Sequence, residues 1–201
     1  MTKPLFVALI VLVALLNSPR YSCSAQEPAE IQKQIHIWMP WYSMFLTAMN
    51  EPALKVLAKK DRTTTVYRFL CLPAFHDPIS VRFVKSARGV TLTAVRLKLD
   101  HEYQPVRVVA RRSAELTLAQ WERIAKQLAK ARFWDLPTNQ REPFGGFSVD
   151  GHLLVIEGVN EGRYHVVQRS NPPGGNFVDL CQAMLFMSRI DVRSLWYDYR
   201  R

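Results

Sequence analysis

The chain has 201 residues, 48% of them hydrophobic, and 27 basic against 17 acidic side chains give a net charge of +10. It contains no internal repeat, no low-complexity tract and no apolar span of the roughly 20 residues a membrane helix needs, which excludes repeat arrays and helical membrane bundles. The basic excess favours anionic partners such as acidic envelope polymers, phospholipid headgroups or nucleic acid, without selecting one.

Residues 1–25 read as an export signal. Lys3 precedes a 13-residue apolar run from Pro4 to Leu16, and the small residues Ser22-Cys23-Ser24-Ala25 precede Gln26. The run is too short to span a bilayer, so a retained anchor is the lesser alternative and a periplasmic or extracellular address is expected. Cleavage would remove Lys3 and Arg20 but no acidic residue, leaving 176 residues with a net charge of +8. That length suits one domain with a real core. Arg20-Tyr21-Ser22 is too bulky and charged to precede a lipid-modified Cys23. Cys71 and Cys181 remain, either bridged in an oxidising compartment or buried as two free thiols.

Residues 26–34 form a polar lead, and 35–190 are expected to form the single domain. Ile35 to Met49, with Trp38, Trp41, Tyr42 and Phe45, reads as a helix whose aromatics pack in a core. Asn50-Glu51-Pro52 reads as the cap of a second helix through Lys60. Between Thr63 and Arg112 alternation and turn residues predict a four-strand meander near 65–72, 79–86, 90–99 and 105–112. Thr117 and Gln120 have capping-box spacing for the next helix, which Phe133-Trp134-Asp135-Leu136-Pro137 ends. After a Gly145-Gly146 loop, 152–157 and 163–169 predict a hairpin, and Asn176 caps a last helix. The tail 191–201 carries Trp196, Tyr197 and Tyr199. The whole is an α+β domain: an antiparallel sheet, four-strand meander plus hairpin, with helices packed on one face.

Two candidate sites follow. If the strands pair as a simple meander, Arg68, Arg82, Arg96 with Lys98, and Arg107 with Arg111 share one face. Arginine's fork suits carboxylate and phosphate, which makes this a candidate anion-binding face. In the hairpin, a three-residue Asn160-Glu161-Gly162 loop would place Glu157 opposite His165, with Arg169 farther along. A two-residue turn on Asn160-Glu161 would instead set Glu157 opposite Tyr164. A carboxylate beside an imidazole is the start of an acid/base device, though also a common structural pair. His76, before Asp77-Pro78, reads as a turn residue. The five histidines lack helical i, i+4 spacing, and there is no Cys-x-x-Cys, Gly-x-Ser-x-Gly, P-loop or dinucleotide fingerprint. No metal, cofactor or specific nucleic acid is expected.

Tyr67-Arg68-Phe69, His76-x-Pro78, Phe133-Trp134-x-Leu136-Pro137 and Ile156-Glu157-Gly158 with Gly162-x-Tyr164-His165-Val166-Val167 together resemble a family of exported bacterial proteins to which no function is assigned. The resemblance spans roughly residues 45–190 and implies an envelope or extracellular address but no catalytic residue. Gln168-Arg169-Ser170 departs from its pattern, where an acidic residue and then an aromatic would be expected. The sequence thus favours a non-enzymatic binding or structural module that meets an acidic envelope polymer or other anionic ligand. A hydrolase using Glu157 and His165 is the alternative.

Overall fold

The computed structural model of the protein describes residues 42–139 and 151–191. The expected signal, the polar lead, the Gly145-Gly146 loop and the tail from residue 192 lie outside the described residues. In chain order the elements are α1 (42–48), α2 (Leu54–Lys60), β1 (Thr65–Pro73), β2 (Ile79–Ser86), β3 (Gly89–Leu99), β4 (Pro105–Leu116) and α3 (Leu118–Lys130). A 3-10 turn (Phe133–Asp135), β5 (His152–Asn160), β6 (Arg163–Ser170) and α4 (Asn176–Ser188) follow. The α+β class holds. Meander and hairpin merge into one antiparallel sheet of order β4-β3-β2-β1-β5-β6, because β5 pairs with β1 from Val66 to Pro73.

Helices cover both faces of this sheet, not one. Tyr67, Phe69, Cys71, Ile79, Val81 and Phe83 pack against Trp121, Ile124, Leu180 and Met184 of α3 and α4. On the other face Leu70, Leu72, Val95 and Val155 pack under Phe45, Leu46 and Met49, while Val66 and Val159 pack under Leu54 and Ala58 of α2. The physical reason lies in β1 and β5, which are apolar on both sides. A strand buried on both faces reads as a nearly continuous hydrophobic run. Among the described residues no helix is long and apolar enough to cross a membrane.

The turns set what each face receives. Asn50 adopts a left-handed φ of 53°, its N–H donating to the Thr47 carbonyl and that of Glu51 to the Leu46 carbonyl, both at 2.9 Å. This paired arrangement closes a helix. Asn50 therefore ends α1 and does not cap α2, which begins after Ala53 without a side-chain cap. The capping box of α3 forms as expected, with the Gln120 N–H donating to Thr117 and the Thr117 N–H to Gln120. Asn176 is the first residue of α4, not its cap, and its amide donates to the Lys130 carbonyl at the end of α3 (3.2 Å).

Cys71 and Cys181 are both free and buried, the second of the two states the sequence allows, with no bridge between them. Burial pushes the Cys71 thiol up to about 12, and burial together with the Cys71 sulfur raises Cys181 well above its ordinary value. Both behave as small apolar core residues.

Candidate functional site

Directly opposed residues in an antiparallel sheet share a face, so the register decides which charges meet. Arg68 lies opposite both Arg82 and Glu157. Its Nε donates to Glu157 Oε2 at 2.8 Å, a second guanidinium nitrogen reaches the same oxygen, and a third donates to the Pro52 carbonyl at 2.7 Å. Tyr164 donates its hydroxyl to Glu157 Oε1 (2.8 Å), and Arg82 binds Glu51 (2.8 Å), a carboxylate that also sits 3.6 Å from Arg68. Arg111 donates to the Met49 carbonyl at 2.6 Å. These arginines grip the α1–α2 turn from below. Arg68 is only 1% exposed, so the expected open arginine face is closed by α1 and α2. Burial beside Glu157 also pushes the Tyr42 and Tyr164 phenols far up, holding both neutral.

Parity breaks the rest of the expected arginine band. The β2–β3 turn is Ala87-Arg88, so Arg82 opposes Thr93, and Arg96 points to the α3/α4 face. A bulge in β4 leaves Val109 unpaired, since Arg96 opposes Ala110 and Leu97 opposes Val108. One extra residue reverses the alternation. Arg107, opposite Lys98, therefore faces away from Arg111, opposite Val95.

The hairpin departs from expectation in the same way. Its turn is Glu161-Gly162, both at positive φ (53° and 79°), the combination that matches strand twist in two-residue hairpins. Asn160 thus pairs with Arg163, Glu157 with Val166, and His165 with Gly158. Glu157 and His165 occupy opposite faces, so the expected acid/base pair does not assemble. His165 Nε2 instead donates to the Leu136 carbonyl (3.0 Å), and its ring packs against Phe133 and Trp134. Arg169, on the same face, donates to the carbonyls of Pro137 and Thr138 (3.0 and 3.1 Å) and lies over Phe177. Both residues staple the connector 136–138 onto β6. His76 lines a separate cleft of about 130 Å³ with Phe75, Asp77, Arg96 and Lys98. Among the described residues no cluster of three or more metal-ligating side chains occurs.

What the strands do build is a groove of about 440 Å³ beside α3, at the end of the sheet where β1 begins. Tyr67, Trp121, Phe133 and Trp134 wall it, and Thr65, Lys85, Arg132, Asp135 and Asn160 supply its polar groups. The wall depends on Gly158: a Cβ there would lie 2.6 Å from Phe133 Cε1 and 3.0 Å from Tyr67 Cε1.

Its polar lining is dominated by donors. Tyr67 accepts the indole N–H of Trp134 (3.3 Å), which leaves its own O–H to donate, and burial raises its pKa so that it stays neutral. Thr65 donates its hydroxyl to the Asn160 carbonyl oxygen (2.9 Å), leaving the Asn160 amide as a donor. Lys85 Nζ stands 5.6 Å from the Trp121 ring, and Arg132 holds Asp135 at 3.2 Å from an exposed position. Arg163 lies 4.7 Å over Trp134. Such a lining suits a ligand rich in oxygen acceptors and negative charge.

No family model and no curated protein sequence matches this chain. The groove must therefore speak for itself. Its residues come from three strands, one helix and the connector that follows it. The available clue was the set of polar residues Thr65, Lys85 and Asn160 at the ends of three strands.

Proposed function

We propose that the protein is an exported, non-enzymatic binding module of the cell envelope, and that it holds an anionic ligand in the groove beside α3. The observation that carries this reading is the donor-rich lining of the groove, with cations at its rim and its one carboxylate already paired to Arg132. The anion preference expected of the basic composition rests here on Lys85, Arg132 and Arg163. Arg68 and Arg82 neutralise internal carboxylates. Among the described residues the lining contains no imidazole, and Glu157 and His165 are separated by the sheet, which leaves the hydrolase alternative without that pair.

The test is binding of the mature chain to acidic polymers by calorimetry at increasing salt. Affinity should fall steeply as ions screen the rim. Lys85→Ala combined with Arg132→Ala should weaken it while the melting temperature holds. Binding that ignores both salt and the double variant would refute the reading.

A further inference from the structure

Three groove residues and Arg163, which lies over the wall residue Trp134, form a row across the sheet. Lys85 on β2 opposes Thr65 on β1, Thr65 bonds Asn160 on β5, and Asn160 opposes Arg163 on β6. Continuing the β1–β5 register from Val66 opposite Val159 puts Thr65 beside Asn160, so all four project to the α3/α4 face. Adjacent strands lie about 4.8 Å apart, so three spacings carry the row across roughly 14 Å. It reads cation, hydroxyl, amide, cation.

Resting on the function proposed above, we propose that the ligand is an acidic polysaccharide, a chain of carboxylate-bearing sugars laid along this row. The two cations, set at its ends, match separated negative charges; between them the Asn160 amide can donate to a sugar oxygen, and the Thr65 oxygen, its own O–H held by Asn160, can accept from a sugar hydroxyl. A single small anion would engage one end and leave the other cation without a counter-charge.

Single-stranded nucleic acid fits less well, because base recognition needs aromatic faces on which to stack. Trp121 is 7% exposed, and Trp134 is already stacked with His165 and covered by Arg163. A lipid surface fits no better. Among the described residues, none of the large exposed apolar side chains (Val56, Phe75, Tyr103, Val106, Leu118, Phe186) lines the groove.

The experiment titrates the mature chain with galacturonate oligomers of increasing length. Parallel titrations use oligo-deoxythymidine, polyphosphate, neutral dextran and phosphatidylglycerol vesicles. Affinity for the galacturonates should rise with length until the row is spanned and then level off, with a change in tryptophan fluorescence. Lys85→Ala and Arg163→Ala should each weaken the longer oligomers about tenfold, the scale of one charge-assisted hydrogen bond, and melting curves would confirm that both variants fold. Galacturonates that fail to bind, while another probe binds and is lost in Lys85→Ala, would overturn the polysaccharide and leave the binding module standing. Binding of no polyanion at all, or binding indifferent to both variants, would overturn both.

Discussion

The two faces of this sheet use charge in opposite ways. Under α1 and α2, Arg68, Arg82, Glu51 and Glu157 are shut in and answer one another. Beside α3, Lys85 and Arg163 stand exposed at the ends of a row whose middle polar groups, Thr65 and Asn160, open onto the groove. Neighbouring residues of one strand serve the two purposes: Tyr67 walls the groove and Arg68 anchors the buried network. A buried ion pair is a poor source of net stability, yet removing one partner strands the other charge. An exposed cation carries little stability and remains available to a ligand. The difference teaches that an arginine's role is set by what lies over its strand.

The largest effect expected from this contrast is on Arg68. Arg68→Met leaves Glu157 buried without its cation and should destabilise the fold by about 3–5 kcal/mol, measured by urea denaturation, with little change in ligand affinity of the folded fraction. Retention of full stability would break the comparison at its base. Gly158→Ala should come next, at about 1–3 kcal/mol, because the new methyl overpacks Phe133 and Tyr67. It should also weaken binding, since those rings form the groove wall.

Lys85→Ala probes the open face. Its stability should stay within about 0.5 kcal/mol of the parent while polyanion affinity drops, the reverse of Arg68→Met. The smallest effect belongs to Asp61, whose carboxylate accepts the N–H groups of Thr63 and Thr64 and the Thr63 hydroxyl. The Thr64 side chain first, and then these bonds, bring its pKa down to about 2. A folded pKa below the unfolded one gives stability that is present above the ordinary carboxylate range and lost as pH falls through the folded value. Asp61→Asn should therefore melt slightly earlier at pH 7, and the gap should close towards pH 2.

Much of the architecture was legible in the sequence. Thr117 and Gln120 announced α3, and strand alternation with intervening turn residues gave all six strands. The second helical layer was hidden, although Val66–Leu72 and Leu153–Val159 carried its mark in runs too apolar for a half-exposed strand. The sites failed on register. Whether Asn160 or Glu161 opens the hairpin turn decides if Glu157 meets His165, and a non-glycine residue at positive φ is hard to foresee. The Val109 bulge, which parts Arg107 from Arg111, left no local mark at all. The groove was out of reach because positions 65, 85, 121, 134 and 160 become neighbours only through long-range pairing.

The connector held by His165 and Arg169 has one more consequence. Its Thr138 carbonyl accepts the Gln168 N–H (2.8 Å), and Asn139 forms a parallel bridge to the same residue, so the chain covers part of the outer border of β6. At the opposite border, β4 is offset by its bulge and by a second register shift at Lys98 and Leu99. A strand arriving from another molecule would find one side occupied and the other out of step. A sheet six strands wide thus carries its own limit on growth, and the same two residues that hold the connector 136–138 on β6 help to enforce it.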